Sequence, residues 1–303
     1  MRAPPATGIL LAAACLAACR PAGEAGTAGS AAADGPAPAA PSAEATSGPG
    51  AVAPEAAPAA PPWVRDLAVR VVASYPHDPA SYTQGLELAA GVLYESAGQY
   101  GESSIRRVDL ESGVVLLRRD LPPDLFGEGL TLVPAAAGRP ARLLQLTWQG
   151  GVALARDPAT LEPVGEHRYR GEGWGLCFDG GGPEARLVMS DGSAYLTFRD
   201  PATFEIAGGV PVTLGGAPLG GLNELECVGG SVWANVYPTR QIVEVDPATG
   251  RVTATVDASG LLTAFEAPDA EVLNGIAHDP ADGTFLLTGK YWPRLFRVEL
   301  VER

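Results

Sequence analysis

Two groups in this chain stand out as able to move a proton or hold a developing charge. One is a carboxylate between two glycines, in Phe126-Gly127-Glu128-Gly129-Leu130-Thr131-Leu132; the other is Lys290, the only lysine against twenty arginines. Wherever positive charge alone suffices this sequence uses arginine, so Lys290 marks a place that calls for a compact, flexible ammonium. Histidines are scarce: His77, His167 and His278 are the full set, and two of them sit in His-Asp-Pro turns. No pair has metal-ligand spacing, which argues against a zinc site or a histidine-dependent triad, and no metal or cofactor is expected. Carboxylates, amides, indoles and one ammonium remain, a set suited to proton transfer and to holding an amine or amide.

The stretch around Glu128 is one of five related copies. The others are Gln84-Gly85-Leu86-Glu87-Leu88, Trp174-Gly175-Leu176-Cys177-Phe178, Asn223-Glu224-Leu225-Glu226-Cys227 and Asn274-Gly275-Ile276-Ala277-His278, with second residues at 85, 129, 175, 224 and 275. Spacings of 44 to 51 residues between strand-like units indicate radial or linear repetition. Each copy continues into a second apolar strand, such as Val232-Trp233-Ala234-Asn235, and then a third, such as Ile242-Val243-Glu244-Val245. Asp-turns such as Asp157-Pro158-Ala159-Thr160 and Asp246-Pro247-Ala248-Thr249 follow, which favour type I geometry.

Short strands, frequent turns and no amphipathic helix make the chain all-β. Five four-stranded units predict a five-bladed β-propeller. The last unit lacks an outer strand, and Leu67–Ala73, upstream of the first unit, is placed to supply it and so close the last blade from the N-terminal side. In this arrangement the first residues of the innermost strands, Gln84, Glu128, Trp174, Asn223 and Asn274, ring one mouth of the channel. The second strands return towards the same mouth and deliver Glu95, Trp148, Asp191, Asn235 and Lys290. Polar channel linings that merely hold water are the plain alternative, but tryptophan at a wet mouth has no core to pack against and favours ligand contact.

The ends bound where this domain works. Residues 1–19 read as an export signal, and Leu16-Ala17-Ala18-Cys19 is similar to a lipobox, which would lipidate Cys19. An ordinary cleaved signal is the alternative. Residues 20–62 are an Ala/Pro-rich tether unable to bury a core, and 63–303 form one domain. The expected setting is a periplasmic or cell-envelope lipoprotein, with Arg20 after Cys19 favouring the outer membrane, and a monomer. Net charge is −14, which excludes a nucleic-acid partner, and the membrane is met only through the lipid anchor at Cys19. Cys177 falls one place before Cys227 in the repeat, so pleat alternation puts them on opposite faces. The expectation is two buried small hydrophobes rather than a disulfide.

Tyr82-Thr83-Gln84-Gly85-Leu86, Phe126-Gly127-Glu128-Gly129-Leu130-Thr131, Gly173-Trp174-Gly175-Leu176, Leu222-Asn223-Glu224-Leu225-Glu226, Val232-Trp233-Ala234-Asn235, Leu273-Asn274-Gly275-Ile276 and Thr288-Gly289-Lys290-Tyr291-Trp292 closely resemble the plant and bacterial (papaya-type) glutaminyl-peptide cyclotransferases, in order over about residues 70–300. The resemblance implies a five-bladed propeller that converts N-terminal glutamine of peptide substrates to pyroglutamate with release of ammonia. By position it implies roles for Tyr82, Gln84, Phe126, Glu128, Trp148, Trp174, Asn223, Trp233 and Lys290. Tyr82 departs from the phenylalanine such proteins carry there. Glu128 is expected as general base and acid, with Lys290 and Asn223 assisting, and Glu95 as the next carboxylate to consider. The alternatives are a non-catalytic envelope propeller that binds peptides or partner proteins, and a calcium-dependent propeller hydrolase.

Overall fold

A computed structural model describes Pro61 and residues 63–303, apart from 137, 181–184 and 264–266. The expected signal and tether fall almost wholly outside the described residues. Among the described residues every regular element is a strand. Strand β1 (Arg65–Pro76) comes first, followed by a sheet of β2 (Thr83–Ala89), β3 (Val92–Ala97), β4 (Ser104–Val108) and β5 (Val115–Asp120) in that order. A second sheet contains β6 (Gly127–Val133), β7 (Arg142–Thr147), β8 (Val152–Arg156) and β9 (Pro163–Arg168). A third contains β10 (Leu176–Asp179), β11 (Arg186–Met189), β12 (Tyr195–Arg199) and β13 (Ile206–Pro211).

The rest of the chain joins one larger sheet. The short hairpin β14 (Thr213–Leu214) and β15 (Ala217–Pro218) precedes β16 (Leu222–Val228), β17 (Ser231–Val236), β18 (Gln241–Asp246) and β19 (Arg251–Asp257). Then come β20 (Leu273–Asp279), β21 (Thr284–Gly289) and β22 (Arg294–Glu302). The main path runs β16-β17-β18-β19-β1-β22-β21-β20. Strand β1 is parallel to β19 and antiparallel to β22, with Leu67 opposite Glu302 and Pro76 opposite Arg294. The first and last strands of the described residues are therefore laced into one ladder.

The Asp-turns form as their composition dictates: Asp157 accepts from the Ala159 and Thr160 amides, and Asp200 from those of Ala202 and Thr203. The first strands of successive units pack side by side, β2 on β6 and β20, β10 on β6 and β16, and β16 on β20. Two things allow that approach. Equivalent apolar residues, Leu86, Leu130, Leu176, Leu225 and Ile276, are each at most 1% exposed and fill the space between sheets. Such burial is worth about 1.5–3 kcal/mol per side chain. The glycines beside them let backbones touch: a Cβ on Gly129 would lie 2.6 Å from the Trp174 carbonyl oxygen, and one on Gly175 would lie 2.0 Å from that of Asn223.

The expectation of two separate cysteines is corrected. Cys177 and Cys227 form a disulfide, with Cα atoms 5.5 Å apart. Glu87 and Glu226 hold the place in their units that Cys177 holds in its own, and both reach forward to backbone amides of the next unit's first strand, those of Leu132 and His278. Sheets stacked face to face meet through residues of opposite pleat parity. Opposite faces are thus the condition for the bond, because Cys227 carries the parity that looks back towards Cys177.

Candidate active site

At the start of four first strands the ladder slips by one residue, between Thr83 and Gly85, Gly127 and Leu130, Leu222 and Leu225, and Leu273 and Ile276. A bulge re-aims a side chain that regular pleating would commit to a sheet face. The first residue inside each of these bulges is, in turn, Gln84, Glu128, Asn223 and Asn274. A cavity of about 440 Å³ opens there, lined by eight of the residues the sequence singles out: Tyr82, Gln84, Phe126, Glu128, Trp148, Trp174, Asn223 and Lys290. Gln99 and Tyr237 complete the lining.

Glu128 is 3% exposed. Its Oε1 accepts a hydrogen bond from Gln84 Nε2 at 2.8 Å, and Oε2 is buried without a partner. Burial pushes the carboxyl well above the usual carboxylate range; the Lys290 ammonium and the Gln84 hydrogen bond pull the other way, and Glu172 adds to the rise. Lys290 is not a surface lysine: it is 3% exposed, and its Nζ donates to the Tyr82 hydroxyl at 3.4 Å. Nζ also lies 4.4 Å from the centre of the Tyr82 ring and 5.2 Å from that of Tyr237, so two electron-rich faces hold it. Burial lowers its pKa below the ordinary lysine value, while Glu128 and Glu271 oppose the shift. The Tyr82 phenol is pushed up to about 12, chiefly by burial, and so remains a donor. Asn223 offers a buried Oδ1 with no partner.

The apolar wall is aromatic. Phe126 meets Tyr82 and Trp148 edge-on, with centroids 6.0 and 5.7 Å away, and Trp174 meets Tyr237 edge-on at 5.9 Å. The cavity thus combines one carboxylate of raised proton affinity, one ammonium, two free amide or carboxylate oxygens and rings that exclude water. It can hold an amine and an amide together, move a proton between them and stabilise an oxyanion.

Three expected residues lie elsewhere. Asn274 stands behind Gln84, donating from Nδ2 to Gln84 Oε1 and to the Thr83 carbonyl, both at 3.0 Å. Glu95 lies under the floor: its Oε1 accepts from Ser81 Oγ at 2.5 Å and Thr83 Oγ1 at 2.8 Å, and pairs with His77 Nε2 at 3.0 Å. Burial opposes its ionisation, yet His77, Arg106 and these hydrogen bonds hold its pKa at about 2. Ser81 and Thr83 point down to Glu95, while Tyr82 and Gln84, on the alternate face, line the cavity. Trp233 is in the core, 5.2 Å from Phe285 between ring centroids. Of the other second-strand residues, Asp191 is exposed in a turn with Ser193, and Asn235 accepts from the Gly275 amide.

Gln99 and Tyr237 line the cavity without having been singled out in the sequence, and for Tyr237 a signal exists. The paired positions Gly127–Thr147, Leu222–Val236 and Leu273–Gly289 close the first hairpin of three units, and the next residues are Trp148, Tyr237 and Lys290. Counting every second strand from that point selects Tyr237 in place of Asn235, and Gly98 in place of Glu95. Glu172 is also missed; it accepts from both Trp148 and Trp174.

Comparison with known proteins completes the picture. A family model described as "Glutamine cyclotransferase" matches residues 45–300. A glutaminyl-peptide cyclotransferase of Arabidopsis thaliana is 37% identical over 238 residues, which cover 77% of this chain and 71% of the relative. Among solved structures, the glutaminyl cyclase of Myxococcus xanthus superposes with a TM-score of 0.69 at 38% identity, covering 79% of this chain and 99% of the other.

Proposed function

The chain belongs to the glutamine cyclotransferase family, and from that premise we propose how its cavity turns the N-terminal glutamine of a peptide into pyroglutamate: Glu128 takes and returns the one proton that must move. The neutral α-amine attacks the carbon of its own γ-carboxamide, forming the ring N–C bond as the carbonyl electrons pass to oxygen. Glu128 accepts the proton this nitrogen sheds and delivers it to the carboxamide nitrogen. The C–N bond then breaks, ammonia leaves and the lactam carbonyl re-forms. A carboxyl with its pKa raised by burial suits both halves of this exchange, since a strong acid's conjugate base would accept poorly and a weak acid would return the proton poorly.

Lys290, with the Tyr82 hydroxyl beside it, faces the developing oxyanion. The Asn223 Oδ1 accepts from the substrate's N–H groups, and the indoles enclose the side chain in its ring-closing conformation. The observation that carries this reading is the pairing inside Glu128 itself: one oxygen held by Gln84, the other buried in the cavity lining without a partner. Mass spectrometry of a peptide with N-terminal glutamine tests it. The parent removes one ammonia from the peptide and Glu128→Gln does not; a near-parent rate in that variant would sink the mechanism.

The finer architecture and setting belong to the same proposal. A five-bladed propeller, its last blade completed by β1, accounts for the contacts of β2 with both β6 and β20 and for the β1–β22 ladder; an experimental structure with four or six radial units would overturn it. Residues 1–19 direct export and Cys19 carries a lipid, with 20–62 as tether. Incorporation of labelled fatty acid, lost in Cys19→Ser, is the expected result.

A further inference from the structure

Glu172, in Gly171-Glu172-Gly173 between β9 and β10, neither gives nor takes the proton described above; its charge only adds to the rise in the Glu128 pKa. One of its oxygens, Oε2, accepts from Trp148 Nε1 at 2.7 Å and from Trp174 Nε1 at 2.9 Å; the other accepts from Gln149 Nε2 at 2.9 Å. An indole has one donor and no acceptor, so each of these rings commits its only hydrogen bond to the same oxygen. The two rings come from different sheets, Trp148 following β7 and Trp174 preceding β10. Each supports another ring of the cavity: Trp148 meets Phe126, and Trp174 meets Tyr237. Without the shared acceptor each indole could turn about its side-chain bonds, and the wall would lose a single shape.

We propose that Glu172 is a positioning residue for the cyclisation: its carboxylate oxygen bridges Trp148 and Trp174 and so holds the aromatic wall in the shape that folds the glutamine side chain back on its own amine. This rests on the cyclotransferase reading of the cavity. The bridge needs reach more than charge, because a single carbonyl oxygen at the same distance from the backbone can accept from both indoles.

Three substitutions in the full chain separate these properties. Glu172→Gln keeps the length and one acceptor oxygen, Glu172→Asp keeps the charge but retracts the oxygens, and Glu172→Ala removes both. With a short peptide bearing N-terminal glutamine, E172D and E172A lower kcat/KM by about ten- to a hundredfold through loss of the near-attack geometry. E172Q recovers most of the parent value. Thermal melting accompanies each assay, and all three variants melt within a few degrees of the parent, which a merely structural role for Glu172 would not allow. The inference is overturned if E172A matches the parent, or if E172D is near the parent while E172Q is as impaired as E172A. A parent that releases no ammonia would instead overturn the cyclotransferase reading, so the two failures are told apart.

Discussion

Gln84 Nε2 donates to Glu128 Oε1 at 2.8 Å while the oxygen of the same amide is held from behind by Asn274 Nδ2 at 3.0 Å. The relay runs across three first strands, β20 to β2 to β6, and it orients the amide so that a donor, and not an acceptor, meets the carboxylate. Asn274 therefore acts at one remove, through Gln84, on the group that handles the proton.

Replacing that group while keeping its shape gives the sharpest test. Glu128→Gln is expected to lower kcat by about 10²–10⁴, the range for a positioned acid–base group, with KM little changed because the cavity keeps its volume. Steady-state ammonia release checks both constants.

Lys290→Met removes the ammonium beside the oxyanion and should lower kcat by about 10²–10³. It also removes the charge that draws the Glu128 pKa downward. Ionised Glu128 is the proton acceptor, so the acid limb of the residual activity should move to higher pH. A limb that moves to lower pH would contradict the placement of the two charges.

Trp233 and Tyr237 should separate stability from binding. Trp233→Leu opens space against Phe285 in the core and should cost about 1–3 kcal/mol of stability with KM unchanged. Tyr237→Ala removes a cavity wall and one of the two rings around Lys290. It should raise KM several-fold and leave denaturant stability near the parent's.

The His77–Glu95 pair gives a signed pH dependence. Glu95 is held at about 2, so its contribution is present above the ordinary value of 4.5 and lost as pH falls through the folded one. The pKa of His77 is lowered by burial but raised more by the Glu95 charge and hydrogen bond. Its contribution is full below 6.5 and lost as pH rises through the folded value. Glu95→Gln should therefore destabilise most between pH 4.5 and 6.5, by about 3–5 kcal/mol for breaking a buried pair. Melting curves across that window check it, and a difference constant from acid to alkaline pH would refute the assignment.

The disulfide closes a separation of 50 residues. Chain-entropy reasoning puts its worth near 4 kcal/mol, or about 2–4 kcal/mol in practice. The Cys177→Ser/Cys227→Ser double variant should melt well below the parent under oxidising conditions, and the two should converge when the parent is reduced.

Much of the fold and of the site was legible in the chain because both are written locally and repeatedly. An apolar residue at the head of each first strand, preceded by a glycine in four of the five, and Asp-turns that follow announce strand units before any packing is known. Their alignment alone brings Gln84, Glu128, Trp174, Asn223 and Asn274 to equivalent places. The uniqueness of Lys290 is likewise a property of composition.

Contacts between units are not written that way. Whether Cys177 meets Cys227 depends on which pleat parity of one sheet looks at which parity of the next. Whether Trp233 or Tyr237 reaches the cavity depends on ladder register and bulges, and a shift of one residue moves a side chain to the other face. Glu95 went beneath the floor because His77, Ser81 and Thr83, from the stretch that joins β1 to β2, and Arg106 of β4 converge on it, and Glu172 became a bridge because two strands of different sheets have their ends beside it. Residue types and their spacing are enough to indicate an all-β repeat with one acid among its five aligned strand starts. Which neighbours that acid has is settled in three dimensions, since the spacing and facing of the sheets follow from contacts between all the units and from no single stretch of the chain.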